Sequence, residues 1–229
     1  MKFNKIAILL LLISMLSVLS ACGSTDLVAK VAVTSLDALV KAIPDEVALD
    51  DAKGGWAVNG LDGKERLILS KDFSSSNPDL AVEFDAAPFI SAGLDASKLP
   101  ADQYTYDEAA GKITMPYEYG PDKFGGSAEK SALEAFKQIV KTHRSIIGYH
   151  EQGDHYMVTL DKYNNIFAWA KDMSTNKIDL AFALDPKPLV DAGVDTGKLK
   201  EWVFAKLPIT DEEGRQIKVD VFMKGFNIG

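Results

Sequence analysis

Apolar residues recur along this chain with two spacings, one typical of helices and the other of strands. Over 36–43 and over 133–140 they lie three or four residues apart, which predicts an amphipathic helix in each segment. Over 80–85 and over 180–184 large apolar residues alternate with small or polar ones, which predicts strands with one apolar face. The chain therefore combines helices and strands.

Each predicted helix precedes several strands. Short apolar runs separated by Gly, Asp and Asn residues are typical of hairpins. These runs lie at 55–59 and 66–70, and again at 155–160 and 166–170. A last alternating strand is predicted over 113–119. We expect its counterpart to be 217–223, shifted by four residues inserted near 200–206.

The chain also contains an internal repeat. Residues 71–99 align without a gap on 171–199, and 13 of the 29 positions are identical. Unrelated sequences of ordinary composition would share roughly two. This alignment predicts a duplicated unit.

The repeated residues have structural tasks. Asp85 and Asp95, like their counterparts one hundred residues later, precede short segments whose free backbone amides they can cap. Gly93 and Gly193 are each placed where a left-handed helix end is expected. The identity of these residues in the two copies is therefore explained by a shared fold and is not evidence of a shared active site.

These patterns together predict an α+β protein. We expect two tandem repeats of about 100 residues, repeat unit 1 at 32–122 and repeat unit 2 at 123–229. Each is predicted to be a helix packed on a mostly antiparallel sheet of four or five strands.

The N-terminal segment has the features of an export signal. Two lysines precede an apolar run over 6–18, which is shorter than the roughly 20 residues that a membrane-spanning helix needs. Leu19-Ser20-Ala21-Cys22 follows and resembles the lipobox of bacterial lipoproteins at all four positions. The resemblance implies removal of residues 1–21 as a signal peptide, lipidation of Cys22, and a lipidated tether over 22–31. It further implies an extracytoplasmic protein held to the bacterial membrane by acyl chains such as palmitate.

The net charge and the cysteine content exclude some classes of partner and site. The chain has 33 acidic and 25 basic residues, and loss of two lysines with the signal leaves a net charge of −10. With this acidic balance and no basic run, neither nucleic acid nor anionic lipid headgroups are expected partners. Cys22 is the only cysteine, which excludes an intramolecular disulfide and a cysteine-based metal cluster.

Two sets of residues are candidates for binding. Trp56, Trp169 and Trp202 are candidates for lining a groove for sugars or peptides, although aromatic residues on alternating strands are more often part of a core. His150, His155 and Asp154 are candidates for a zinc site, with chance clustering as the alternative.

The sequence contains no nucleophile elbow, phosphate-binding loop, dinucleotide fingerprint or zincin motif. We therefore expect a non-enzymatic module that binds a small ligand or an envelope protein, with no cofactor. A duplicated unit creates a cleft between its copies, which is a natural ligand site. The alternative hypothesis is an extracytoplasmic hydrolase or metal-dependent enzyme with its site in repeat unit 2.

Overall fold

The structure is a computed structural model that describes residues 25–72, 78–118, 131–150, 154–160, 166–173, 178–210 and 216–228. Within these residues the helices are α1 (Thr25–Ala42), α2 (Ala87–Ser91), α3 (Ala132–Thr142) and α4 (Pro186–Asp191). The strands of the first half (through residue 118) are β1 (Val47–Asp50), β2 (Gly55–Asn59), β3 (Glu65–Ser70), β4 (Leu80–Asp85), β5 (Thr105–Asp107) and β6 (Lys112–Tyr117). Those of the second half (from residue 131) are β7 (Ile147–His150), β8 (His155–Thr159), β9 (Ile166–Ala170), β10 (Leu180–Leu184), β11 (Val203–Thr210) and β12 (Gln216–Phe226).

The strands form two antiparallel sheets of six strands each. Their orders are β1-β2-β3-β4-β6-β5 and β7-β8-β9-β10-β12-β11. The α+β class and the antiparallel pairing are confirmed, whereas the expected four or five strands are six. The sequence pattern missed β1 and β5 because they are short edge strands without a buried apolar face.

Each of the two longer helices packs against the sheet of the other half. The two helices pack on each other; among the strands, the backbone of α1 lies closest to β7 and β9, and that of α3 lies closest to β1, β2 and β3. One hydrogen bond connects α1 directly to the second sheet: the Ser35 hydroxyl donates to the carbonyl oxygen of Ala170 in β9 at 3.0 Å. The sequence pattern predicts instead that each helix packs on the sheet of its own unit. An amphipathic pattern shows that a helix face is covered but does not identify the sheet that covers it.

The first helix also includes part of the predicted tether. Residues 25–31 belong to α1, and two residues, Gly23 and Ser24, separate Cys22 from Thr25 in the sequence. Within the part of the chain that the structure describes, no helix has both the length and the hydropathy of a membrane span.

Gly93 and Gly193 meet where the two halves join. Both have a φ of +109°, which confirms the predicted left-handed helix ends. The Asp95 amide donates to the carbonyl oxygen of Ala192 at 2.8 Å, and the Asp195 amide donates to that of Ala92 at 2.9 Å. A Cβ on Gly93 would lie 2.8 Å from the carbonyl oxygen of Gly193, so this close approach needs glycine.

The last strand has a different register from the one predicted. In the first half Phe84 pairs with Ile113, and in the second half Leu184 pairs with Phe222, a separation of 109 residues instead of 104. The additional residues lie within β11 and β12, where β12 has 11 residues and β6 has 6. As a result Val221 lies in an apolar cluster on the outer face, apart from the main core.

The main core is shared by both halves. One cluster of buried side chains includes Leu36 and Phe84 from the first half and Phe136 and Phe182 from the second. The two halves therefore share one core, and the surface along which they meet carries the candidate site.

Candidate functional site

A buried lysine connects the two halves. Lys224, on β12, points toward the core, and its ammonium lies 2.7 Å from Asp62 Oδ2 and 2.8 Å from Glu65 Oε1. Glu201 Oε2 is 3.6 Å away. We call these four residues the Lys224 cluster. Asp62 and Glu65 belong to the first half, whereas Glu201 and Lys224 belong to the second.

The register of β12 explains why a lysine lies there. Lys224 pairs with Phe182, and the corresponding pair in the first half is Met115 with Val82. The lysine therefore occupies a position that is apolar in the first half, between Phe222 and Phe226 on one face of the strand. A charge in such a position needs partners because removing it from water is costly.

Burial is most complete at Glu65. Its side chain has 0% exposure, compared with 10% for Lys224. This burial raises the pKa of Glu65 to about 7, with Lys224 opposing the shift and the negative charge of Asp62 adding to it. The Glu65 carboxyl therefore titrates near neutral pH.

The pKa shifts of its neighbours have the opposite sign. Burial acts to raise the pKa of Asp62, but hydrogen bonds from Lys224 and from the Lys64 amide outweigh it and hold that pKa below its usual range. Burial acts to lower the pKa of Lys224, but its hydrogen bonds to Asp62 and Glu65 outweigh it and raise that pKa. Asp62 and Lys224 thus stay charged while Glu65 changes charge.

Two buried polar atoms at this place have no hydrogen-bond partner among the described residues. They are Oε2 of Glu65 and Nε1 of Trp202. Trp202 is 3% exposed, and its ring lies 6.0 Å from the Lys224 ammonium. Buried polar groups are nearly always hydrogen-bonded, so unsatisfied ones at one place indicate room for a water molecule or a ligand atom.

A cleft of about 540 Å³ opens at the same junction, and we call it the junction cleft. Its lining comes from both halves: Lys64, Asp85, Ala87, Pro88, Ser91, Gly197, Lys198, Lys200 and Glu201. Lys64 and Glu201 connect the cleft to the cluster, since their side chains form an ion pair at 2.9 Å. This volume lies within the range of small-molecule sites.

The predicted tryptophans lie outside this lining. Trp169 is fully buried against Phe136, with ring centroids 5.5 Å apart. Trp202 packs on Phe89 beneath the cleft, at 5.5 Å, and Trp56 is half-buried against the core. A ligand-binding role for the three tryptophans stays a prediction.

Two of the three proposed zinc ligands, His155 and Asp154, have other partners. His155 Nε2 lies 2.6 Å from the carbonyl oxygen of Ile178, and the Tyr149 hydroxyl donates to the Asp154 carboxylate at 2.5 Å. The side chain of His150 lies outside the described part of the structure. Among described residues, no three His, Cys, Asp or Glu side chains are grouped as metal ligands would be. The zinc site stays a prediction.

A second buried carboxylate, Glu83, lies on the outer face of the first sheet. Arg66 Nη2 lies 2.6 Å from its Oε1 and Lys53 Nζ lies 2.7 Å from its Oε2, which also accepts from the Thr114 hydroxyl at 3.2 Å. Because both oxygens are satisfied, this network is explained by the stability of the sheet.

A smaller groove of about 500 Å³ lies between α4 and the β11–β12 hairpin. Two large apolar side chains are exposed in it, Val190 at 40% and Phe204 at 38%. Its charged side chains pair locally, as Lys187 does with Asp191 at 2.5 Å. With three carboxylates and two lysines in its lining, the groove has the opposite charge balance to the junction cleft.

Sequence reasoning did not identify the Lys224 cluster. A signal existed at Lys224, since Phe222, Lys224 and Phe226 share one face of a strand and a lysine between two phenylalanines is unusual there. Glu65 gave no signal, because an acidic residue at the end of a Gly and Asp turn is typical of solvent exposure.

Comparisons with protein-family models, with curated proteins and with solved structures gave no match to this chain. Its function is therefore inferred from its own residues and their geometry.

Proposed function

We propose that this protein is an extracytoplasmic lipoprotein that binds a small ligand, without catalysis, in the junction cleft between two duplicated halves. The observation that carries this proposal is the cleft of about 540 Å³ whose lining is drawn from both halves. A cleft between copies is the site that a duplication is expected to create.

The duplication is supported at two levels. Thirteen of 29 aligned positions are identical. The two sheets also share one strand order, and the repeated turns at Gly93 and Gly193 exchange equivalent hydrogen bonds. Copying of one ancestral unit accounts for both levels.

The membrane anchor is supported by the sequence of the lipobox. Lipidation of Cys22 would hold the folded part close to the bilayer, because only two residues separate it from α1. The step from Cys22 to Thr25 spans about 10 Å at most. The binding site would then sample solutes near the membrane surface.

A binding role is favoured over an enzymatic one by the chemistry of the cleft. Its described lining contains lysines, carboxylates and small residues, and no histidine or cysteine. The hydrolase or metal-dependent enzyme stays the alternative hypothesis, and its site would lie in the second half at His150, His155 and Asp154.

The test is thermal unfolding of the full chain in detergent with a panel of metals, sugars, peptides, lipids and small anions. A ligand at one hundred times its dissociation constant stabilises by about 2.7 kcal/mol, which raises the melting temperature by roughly 5–10 °C at this size. Ser91→Trp fills the cleft and should abolish the shift. Ile90→Trp is the matched control, since Ile90 is 44% exposed on the same helix but does not line the cleft.

Two results would contradict the proposal. One is the absence of a shift with every ligand class. The other is a shift that persists in Ser91→Trp, which would place the ligand elsewhere. A shift with zinc that is lost in His155→Ala would support the enzyme alternative instead.

A further inference from the structure

The junction cleft has a local charge that differs from that of the whole chain. Its described lining carries three ammonium groups, from Lys64, Lys198 and Lys200, and two carboxylates, from Asp85 and Glu201. Asp85 Oδ1 accepts a backbone amide of α2 at 3.3 Å but keeps its negative charge, so the charged groups of the lining sum to +1. The chain as a whole has a net charge of −8. Lysines that converge from separate segments favour an anion.

Two of these cations are in ion pairs, Lys198 with Asp195 at 3.4 Å and Lys64 with Glu201. Glu201 Oε2 lies 2.9 Å from Lys64 Nζ and 3.6 Å from Lys224 Nζ, so two ammonium groups share one carboxylate oxygen. Lys224 has closer partners in Asp62 and Glu65, at 2.7 and 2.8 Å. The attraction between Lys224 and Glu201 therefore depends on how well Asp62 and Glu65 neutralise Lys224.

Building on the function above, we propose that the junction cleft binds an anion that carries carboxylate or phosphate groups, and that protonation of Glu65 frees Lys64 to hold it. A neutral Glu65 leaves Lys224 with Asp62 as its one close carboxylate. Glu201 is then drawn toward Lys224 and away from Lys64. By reciprocity, a bound anion favours the protonated form of Glu65.

The charged groups around Glu65 fit this coupling. Lys224 faces it from β12, Asp62 from the β2–β3 turn, and Glu201 reaches the same ammonium from the segment before β11. Lys112, at the start of β6, donates to the carbonyl oxygen of Lys64 at 3.2 Å. The pKa of Glu65, raised to about 7 by burial, puts its change of charge at neutral pH.

Lys198 and Asp85 of the cleft recur as Lys98 and Asp185, but five other charged residues at this junction are not repeated between the halves. Asp62, Lys64, Glu65, Lys200 and Glu201 are replaced one hundred residues away by Lys162, Asn164, Asn165, Pro100 and Ala101. Residues needed for the shared fold recur, as the caps and the junction glycines do. Charged residues that occur in only one of the two halves are better explained by a single anion-binding site than by the shared fold.

The test is calorimetric binding of sulfate and trimesate to the full chain in detergent at pH 6 and pH 8, where both probes keep their charge. With a pKa of about 7, Glu65 is neutral in about nine-tenths of molecules at pH 6 and in about one-tenth at pH 8. If the neutral form is the binding-competent one, the dissociation constant should be about tenfold lower at pH 6. Glu65→Gln should bind at pH 8 as tightly as the unchanged chain does at pH 6.

The chain offers a matched pair of lysines as a control. Lys198 and Lys98 pair with the aspartates Asp195 and Asp95 at 3.4 and 3.1 Å and are both well exposed. Lys198 lines the cleft, whereas Lys98 does not. Lys198→Gln should weaken anion binding and Lys98→Gln should not, although each removes one charge. Lys64→Gln should weaken binding most.

The outcomes separate the possibilities. The inference is overturned if neither anion binds at either pH and the protein also shows no preference for phosphatidylglycerol vesicles over phosphatidylcholine vesicles. It is also overturned by a pH dependence that persists in Glu65→Gln. A neutral panel ligand that Ser91→Trp excludes, with no anion binding, would leave the proposed function standing and this inference refuted. Binding to phosphatidylglycerol vesicles but not to phosphatidylcholine, with no affinity for free anions, supports the inference and identifies a lipid headgroup as the source.

Discussion

The glycine contact between the halves gives a sharp test of how they are held together. Gly93→Ala adds a Cβ 2.8 Å from the carbonyl oxygen of Gly193, at a φ of +109°. The left-handed backbone costs an alanine about 1–2 kcal/mol. Separating the two turns also weakens the hydrogen bonds from the Asp95 and Asp195 amides, at about 0.5–1.5 kcal/mol each. We expect a loss of about 2–5 kcal/mol in the free energy of unfolding.

Gly63→Ala is the matched control. Gly63 also has a positive φ, of +68°, but a Cβ there meets no atom within 4 Å. Gly63→Ala should lower the free energy of unfolding only by the cost of a left-handed alanine, about 1–2 kcal/mol. Urea unfolding followed by tryptophan fluorescence measures both variants. If Gly93→Ala is no less stable than Gly63→Ala, the close approach does not stabilise the junction and the reasoning fails.

Four further predictions concern the charges, the anchor and the halves. Because burial raises the pKa of Glu65 to about 7 from 4.5, the stability contributed by its neutral form is complete below pH 4.5 and is lost as the pH rises through 7. Thermal melts of Glu65→Gln between pH 5 and pH 8 should lack this loss of about 3 kcal/mol. Lys224→Met leaves buried carboxylates without their cation and should cost about 3–5 kcal/mol at pH 8 by urea unfolding, and an unchanged midpoint would contradict this. Cys22→Ala should abolish palmitate labelling and release the protein from membranes, and continued labelling would disprove the lipobox assignment. Deleting 123–229 should leave an unfolded fragment, and a dispersed NMR spectrum from 24–122 would count against cooperative halves.

The parts of the fold that the sequence predicted are those with local physical causes. The strand runs at 55–59 and 166–170 match β2 and β9, since alternation and turn residues act within a few positions. The caps were also predicted, as at Asp185, whose Oδ1 accepts the Lys187 amide at 2.9 Å. What failed depends on partners distant in the sequence. The crossing of α1 onto the second sheet is an example, because no local pattern identifies the sheet that covers a helix.

The candidate site was less predictable than the fold for the same reason. Lys224 becomes a buried charge only because β12 pairs with β10 in one register, and the predicted register placed other residues toward the core. Glu65 lies at the β2–β3 turn, where Lys224 and Phe226 of the second half contact the first half. Both properties arise where the halves meet, so neither half taken alone would show a site there.

The two sets of residues at the junction have different histories in the proposed duplication. Gly93, Gly193 and the capping aspartates recur because each copy needs the same turn to meet the other. The Lys224 cluster does not recur, and the position equivalent to Lys224 is Met115, an ordinary core residue. An apolar junction would have been the less costly solution, since a buried ion pair is often no more stabilising than well-packed apolar side chains. The presence of Glu65, Asp62 and Lys224 beside an open cleft is therefore an argument for the ligand binding proposed above.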